Sequence, residues 1–270
     1  MDNTQLHVAI VSSPGMRHLI PVLVLGNRLA THHNIKITIL AITTISSSFE
    51  IKFLKKSNKK KTIEIIPIPW VDISHLIDST TKVITQLRLL VHEALLGIRS
   101  GIASMNHCPD ALIADIFGTQ ILSIAEEFNI PKYVFHTSTA WLLAGEHVDL
   151  KQPLEIPGCK ALQSDDVMDP MMDRNDQQNH EYLKLTMEYT CFDGILINTW
   201  KDLEGETIKA LRSNEKLQPS LKVPLPIYPI SPLRRTFEIT ERDEVIQWLD
   251  KKNYESILFV SFGSGGALSS

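Results

Sequence analysis

Short apolar runs rich in β-branched residues alternate along this chain with longer stretches in which apolar residues recur with a helical period. The short runs predict six strands: His7–Ser12, Lys36–Leu40, Ile63–Ile68, Ala111–Asp115, Lys132–His136 and Gly194–Asn198. The longer stretches predict helices through Leu19–Leu29, over Lys82–Met105 and over Gln120–Phe128. Strands that alternate with helices predict a parallel sheet with helices on both faces, a doubly wound α/β fold.

Pro21 lies within the first helical stretch. Proline lacks a backbone N–H, so it fits a helix only in the first turn. The pattern therefore places Pro21 in the first turn of that helix.

Three stretches interrupt the alternation. Phe53–Thr62 carries five lysines and predicts a solvated loop, with nuclear import or nucleic-acid contact as the less favoured alternative. Gln152–Asn179 is irregular and contains several prolines, and excursions of this length are often lids or binding loops. Leu217–Pro232 holds five prolines, a composition typical of a semi-rigid linker.

These interruptions predict the domain organisation. We expect a first domain over residues 1–216, an interdomain linker over 217–235 and the start of a second domain over 236–270. In the last segment, Glu241–Lys252 predicts a helix and Ser256–Phe262 predicts a buried strand that leads into glycines. The second domain is thus expected to be truncated after its first strand.

Composition narrows the class of protein. Of 270 residues, 43 % are hydrophobic and 21 % charged, which excludes wholesale disorder. A net charge of −4 is too small to indicate a nucleic-acid or membrane-surface partner. The three cysteines cannot all pair and include no C-x-x-C, as expected for reduced thiols. With no signal-peptide pattern and no long apolar run, we expect a cytoplasmic protein without a membrane span.

A histidine and an aspartate are the candidate catalytic groups. In an open parallel sheet, ligands bind at the carboxyl ends of the strands where the strand order reverses. If the order is 3-2-1-4-5, His18 after the first strand and Asp115 at the end of the fourth meet in one crevice. An imidazole backed by a carboxylate suits a general base. On spacing alone, an alternative stays open in which each residue caps the helix that follows it.

Other chemistries lack their motifs. The first strand is not followed by G-x-G-x-x-G, and no G-x-x-x-x-G-K-[ST] or G-x-S-x-G occurs, which disfavours nicotinamide, P-loop and serine-hydrolase chemistry. Glu146, His147 and Asp149 lack H-E-x-x-H spacing, so no metal site is predicted. Trp141 follows the fifth strand and is expected beside the crevice.

Several motifs occur in one order that resembles a known family: Ser13–Pro21, Asp115–Thr119, Pro157–Cys159, Gly194–Thr199 and Val260–Gly266. Together they resemble the N-terminal half of the plant family-1 UDP-glycosyltransferases, and most of all the hydroquinone and monolignol glucosyltransferase branch. The resemblance runs from about His7 to the last residue. It implies a GT-B architecture, in which two Rossmann-like domains face a cleft and the N-terminal domain shapes the acceptor pocket.

The resemblance also implies roles for individual residues. His18 would deprotonate an acceptor hydroxyl and Asp115 would orient His18. The hydroxyl would then attack the anomeric carbon of UDP-glucose and give an inverted β-glycoside without a metal or other cofactor. The implied acceptor-binding residues are Gly15, Val83, Leu87, Phe117 and Trp141, and the implied donor-binding residues are Ser13, Arg17, Thr139, Gly263 and Ser264.

Two departures from the family pattern stand out. Arg17 replaces the glycine that usually precedes the catalytic histidine, and it would either crowd the donor phosphates or add a charge that holds them. The donor signature, with its W-x-P-Q and H-C-G-W-N-S segments, has no counterpart here. We therefore expect the isolated chain to be inactive. The alternative function is a non-catalytic module that binds small aromatic ligands, or a regulatory truncated relative. The acceptor, the sugar and the oligomeric state do not follow from the sequence.

Overall fold

The computed structural model describes residues 5–43, 63–140, 143, 173, 175–213, 225–230, 233, 244–258 and 260. The chain divides into two compact units, Met1–Arg234 and Arg235–Ser270. Several expectations fall on residues outside the described ones: the lysine-rich stretch, nearly all of the irregular excursion, the Pro157–Cys159 motif, Trp141, Gly263 and Ser264.

The first unit is built on a seven-stranded parallel sheet with the order β3-β2-β1-β4-β5-β6-β7. Its strands are β1 His7–Ser12, β2 Lys36–Ile42, β3 Ile63–Ile68, β4 Ala111–Asp115, β5 Lys132–His136, β6 Gly194–Ile197 and β7 Ile227–Pro229. Every neighbouring pair is parallel. The doubly wound α/β class is confirmed, and the strand order reverses between β1 and β4 as expected.

Five helices of the first unit lie among the described residues: α1 Met16–His33, α2 Val83–Ala103, α3 Leu122–Glu127, α4 Gln177–Tyr189 and α5 Lys201–Ser213. A 3-10 turn over Thr119–Ile121 leads into α3. The pattern did not indicate α4 because Leu183 and Met187 face solvent and blur its apolar stripe. In α5 the backbone leaves helical geometry at Glu204, with φ −131° and ψ 35°.

The core lies on both faces of the sheet. Val8 and Ile10 of β1 pack with Leu19 and Val22 of α1 on one face. The intervening Ala9 packs on the other face, in the cluster that contains the apolar side of α2. Because side chains alternate along a strand, this two-sided burial gives the continuous apolar runs seen in the sequence.

Pro21 was placed wrongly within its helix. The helix begins at Met16, so Pro21 is in the second turn rather than the first. It removes one N–H from the helical ladder. The buried residues Leu19, Val22 and Leu23 on either side anchor α1 to the sheet and maintain the helix through this position.

Part of the predicted linker is a strand. Residues 227–229 form β7 and pair in parallel with Ile195–Ile197 of β6. β7 lies at the edge of the sheet, where one side of the strand needs no hydrogen bonds and proline is tolerated. The prolines therefore indicated a linker at a position where the structure has an edge strand.

In the second unit, α6 spans Glu244–Leu249, so the helix ends before the predicted Lys252; residues 241–243 lie outside the described ones. Residues 256–258 and 260, predicted as part of a buried strand, are exposed and not in a strand. A strand forms only beside another strand, and the described residues of this unit contain none. Among the described helices of the whole chain, none is long and apolar enough to cross a membrane.

Candidate active site

The turn after β1 sets the position of His18. Gly15 precedes α1 with φ 99° and ψ 151°, a conformation that is essentially restricted to glycine. Its carbonyl accepts the backbone N–H groups of His18 and Leu19, each at 3.1 Å. His18 thus lies in the first turn of α1, at the carboxyl end of β1. No side chain caps this helix, so the alternative in which His18 is a helix cap is wrong.

Asp115 is the last residue of β4, and its side chain is completely buried. β4 pairs directly with β1, so the ends of the two strands adjoin. The Nδ1 atom of His18 lies 3.3 Å from Oδ2 of Asp115. The strand order thus brings the imidazole and the carboxylate together, as the topology predicted.

Three further donors hold the Asp115 carboxylate. The Ser13 hydroxyl donates to Oδ1 at 2.5 Å and the Ser13 N–H donates to Oδ2 at 2.9 Å. The Gly118 N–H donates to Oδ1 at 3.1 Å. A Cβ atom at Gly118 would lie only 3.2 Å from Oδ1, so glycine permits this close approach. All the contacts are with donors, as an ionised carboxylate requires.

This arrangement selects one tautomer of His18. Because Asp115 accepts hydrogen bonds, we assign the imidazole proton to Nδ1, which leaves Nε2 with a free lone pair. The His18 side chain is 16 % exposed, whereas Asp115 is sealed from solvent. An imidazole in this state can accept a proton at Nε2, and the buried carboxylate stabilises the cation that results.

Phe117 lies against the other side of His18. The two ring centroids are 5.2 Å apart, with an interplanar angle of 71°. Phe117 packs in a small apolar cluster with Ile84 and Leu185, and Leu87 borders the same cluster. Val83, one helical turn before Leu87, is 65 % exposed and outside this cluster. Of the predicted acceptor residues, the structure therefore brings Phe117 and Leu87 together.

The predicted donor-binding residues are more scattered. Arg17 is exposed in the first turn of α1, beside His18. Thr139 is exposed after β5, and its carbonyl accepts the N–H of Leu143 at 3.3 Å. The Ser13 side chain faces Asp115 and the residue is only 1 % exposed, so its hydroxyl does not point into the crevice.

A buried cluster around Arg88 was not anticipated from the sequence. The Arg88 guanidinium pairs with Glu181 at 2.8 Å, and with both carboxylate oxygens of Glu188 at 2.6 and 2.9 Å. It also donates to the Thr119 hydroxyl at 3.3 Å. Burial opposes the charge of Arg88, but hydrogen bonds and the charges of Glu188 and Glu181 raise its pKa overall. The apolar stripe of α2 offered one signal, an arginine on its buried side.

A cleft of about 280 Å³ lies beside this cluster, lined by Thr85, Arg88, Leu89, His92, Gln120, Glu181, Lys184 and Glu188. It includes none of the predicted acceptor residues. Among the residues that the structure describes, no three His, Cys, Asp or Glu side chains are grouped so that they could hold a metal ion.

Comparison with known proteins identifies the relatives of this chain. It is 41 % identical over 281 residues to "Anthocyanidin 3-O-glucosyltransferase 5" of Manihot esculenta, covering 99 % of the chain and 57 % of that protein. It is 31 % identical over 292 residues to "Hydroquinone glucosyltransferase" of Rauvolfia serpentina, covering 100 % of the chain and 59 % of that protein. No protein-family model matches the chain.

Solved structures agree with this relationship. A crystal structure of TcCGT1 in complex with UDP matches with a TM-score of 0.85 and 36 % identity, over 98 % of this chain and 59 % of that one. Phytolacca americana UGT2, complexed with UDP-2fluoro-glucose and pterostilbene, matches with a TM-score of 0.84 and 32 % identity, over 100 % of this chain and 62 % of that one. The chain is therefore homologous to the plant family-1 UDP-glycosyltransferases and shares the fold of their solved members, spanning about three fifths of their length.

Proposed function

We propose that this chain forms the acceptor-binding part of a UDP-glucose-dependent O-glucosyltransferase that acts on small phenols. The observation that carries the proposal is the contact between His18 and the buried Asp115 carboxylate, with Phe117 flanking the imidazole. Relatives named for glucosyl transfer to hydroquinone and to anthocyanidins support the substrate class. The Phytolacca americana structure, which holds a fluorinated UDP-glucose and pterostilbene, supports the pairing of donor and acceptor.

In the proposed reaction, Nε2 of His18 takes the proton of the acceptor hydroxyl. A phenol with a pKa of about 10, judged from tyrosine, is mostly protonated at neutral pH and needs such a base. Its oxygen forms a bond to the anomeric carbon of glucose as the bond from that carbon to the UDP oxygen breaks. UDP leaves with the electron pair, and the configuration at the carbon inverts. Asp115 holds the tautomer of His18 and stabilises the imidazolium.

The surrounding residues have assigned roles in this proposal. Phe117 and Leu87, which belong to one apolar cluster, supply a wall for an aromatic acceptor. The family resemblance assigns Gly15 and Val83 to the same acceptor, and also Trp141, which lies outside the described residues. The proposal assigns Arg17 and Thr139 to the donor. The family resemblance assigns Gly263 and Ser264 to it as well, and these two lie outside the described residues. No metal or resident cofactor takes part, and UDP-glucose is a co-substrate. The exposed position of Arg17 favours a charge that attracts the donor phosphates over steric crowding.

The chain alone is proposed to have negligible activity. It spans about three fifths of its relatives' length, and the family's donor signature has no counterpart in its sequence. Transfer requires both walls of the cleft, because positioning and electrostatic stabilisation act on donor and acceptor together. Cytoplasmic location is part of the same proposal.

The test compares the chain alone with a chimera that adds the remaining part of the Manihot esculenta relative. Each is incubated with UDP-glucose and simple phenols, and glucosides are quantified by chromatography. We expect product from the chimera only. In the chimera, His18→Ala should lower the rate by about 10²-fold or more, and Asp115→Ala should cause a large part of the same loss. The exposed His33, at the far end of α1, gives the control variant His33→Ala.

Three outcomes would contradict parts of the proposal. Robust glucoside formation by the chain alone would show that the second wall is dispensable. An unchanged rate for His18→Ala in the chimera would remove the base assignment. Calorimetric binding of phenol by the chain, with no turnover in the chimera, would favour the non-catalytic binding module.

A further inference from the structure

Two neighbouring serines at the end of β1 have different partners. Both are buried, each with 1 % exposure. The Ser12 hydroxyl donates to the backbone carbonyl of Ser13 at 3.1 Å. The Ser13 hydroxyl donates to Oδ1 of Asp115 at 2.5 Å. Of these two neighbouring buried hydroxyls, that of Ser13 contacts Asp115 and that of Ser12 contacts only the backbone.

Ser13 contacts both oxygens of the carboxylate. Its hydroxyl donates to Oδ1, and its backbone N–H donates to Oδ2 at 2.9 Å. Oδ2 is also the oxygen nearest to Nδ1 of His18. Rotation of the carboxylate about its Cβ–Cγ bond would break both contacts with Ser13 at once, so this residue fixes the plane of the group.

We propose that Ser13 is a positioning residue, whose hydroxyl holds the Asp115 carboxylate so that Oδ2 faces His18. Its catalytic meaning rests on the proposed function, in which Asp115 fixes the tautomer of His18. The family resemblance assigns Ser13 to the donor instead. The burial of the hydroxyl and its bond to Asp115 favour the positioning role.

Backbone geometry explains why the hydroxyl is needed. The Gly118 N–H also reaches Oδ1, at a longer distance of 3.1 Å. Without the Ser13 hydroxyl, Oδ1 would accept only the Gly118 N–H, and Oδ2 would still accept the Ser13 N–H. The carboxylate would then be held by two backbone contacts on separate segments, and its alignment with His18 would loosen.

The test is ¹⁵N NMR of the histidine side chains in the full chain, because ring nitrogen shifts distinguish the two tautomers. His18→Gln identifies the resonance. We expect the Nδ1–H tautomer to dominate for His18 in the wild-type chain. Ser13→Ala should lower the ratio of Nδ1–H to Nε2–H tautomers by about tenfold, the loss expected for one hydrogen bond to a charged group. Ser13→Thr, which keeps the hydroxyl, should preserve the ratio.

Ser12→Ala is the matched control, since it removes a neighbouring buried hydroxyl that does not touch Asp115. An unchanged ratio in Ser13→Ala overturns the proposal, as does an equal loss in Ser12→Ala or Ser13→Thr. The tautomer ratio of His18 is measured without catalytic turnover, so it tests the position of Asp115 even if the proposed function is wrong. Thermal unfolding shows which variants are folded. If Ser13→Ala does not fold, Ser13→Cys replaces it. Cysteine has nearly the same volume and is a weaker donor, so the tautomer ratio should then be intermediate.

Discussion

The imidazole of His18 meets the ring of Phe117 edge to face, with centroids 5.2 Å apart. Phe117 lies two residues after Asp115, which contacts the same imidazole through Oδ2. One short turn therefore supplies both the charged and the apolar neighbour of His18. The proposed base, His18, and the proposed acceptor wall are consequently coupled through a single turn.

Phe117→Leu tests the apolar wall. The change keeps an apolar side chain but removes volume from a buried site, so the free energy of unfolding should fall by about 0.5–3 kcal/mol. Phenol affinity should fall by about 3- to 10-fold, because an aromatic contact is lost. Calorimetric titration of the full chain with phenols measures the affinity. Phe192, buried in a different core cluster, provides the control Phe192→Leu, which should leave phenol affinity unchanged. Equal affinities for wild type and Phe117→Leu would exclude Phe117 from the acceptor wall.

Arg88→Met tests the buried charge cluster. Removing the guanidinium leaves Glu188 without its cation and Glu181 with only the exposed Lys184, which should reduce the free energy of unfolding by about 3–5 kcal/mol. Urea unfolding at neutral pH measures this loss. Arg99 pairs with Glu127 in a similar way but in solvent, so Arg99→Met is a matched control with a far smaller expected effect. Similar losses for both variants would contradict the role given to burial.

His7 predicts a pH dependence of stability. It is buried at the start of β1, and Nε2 contacts the Thr38 hydroxyl at 2.8 Å. Burial lowers the pKa of His7 below its usual 6.5, and the charges of Lys36 and His107 lower it further, against the opposing Glu64 and Asp110. The unfolded chain therefore binds a proton at a higher pH than the folded chain does.

The sign follows from this difference. The contribution of His7 to the free energy of unfolding should be complete above pH 6.5. It should decline as the pH falls below 6.5, by at most about 1.4 kcal/mol per pH unit for this one group. Urea unfolding at pH 7.5 and pH 5.5 tests this. His7→Gln should flatten the dependence, whereas the exposed His33→Gln should not. A wild-type chain with equal stability at both values would contradict the assignment.

Gly15→Ala tests the turn that starts α1. The φ of 99° and ψ of 151° are unfavourable for any residue with a Cβ, although a Cβ there would meet no atom within 4 Å. Backbone strain alone should therefore destabilise the chain by about 1–3 kcal/mol. Gly205→Ala, directly after the kink in α5, is the same chemical change at a position without a positive φ, where a Cβ would lie 3.6 Å from the Lys201 side chain. It has the opposite expected sign, a gain of about 0.4–1 kcal/mol. Thermal unfolding of both variants measures these changes. Unchanged stability in Gly15→Ala would contradict the strain argument.

The strands were the most predictable part of the fold. β1, β3, β4 and β5 have the bounds that the apolar runs indicated. For β1 and β4 the reason is burial on both faces, which leaves no polar position in the strand interior; the edge strand β3 was still recognised from its isoleucines, although Glu64 is exposed. The helices α4 and α5 were not predicted, since their apolar residues are partly exposed or interrupted by a kink. β7 was missed because edge strands tolerate proline, and proline otherwise indicates a linker.

The sequence by itself determined the parallel α/β architecture, because hydrophobic periodicity indicates it. It predicted the convergence of His18 with Asp115 on the condition of one strand order, and the structure has that order. It did not determine how the carboxylate is held. The donation from Ser13 to Asp115 and the ion pairs of Arg88 join segments that are far apart in the chain. Such contacts depend on side-chain direction and on distances of a few ångströms, which periodicity does not encode, so only the tertiary structure decided them.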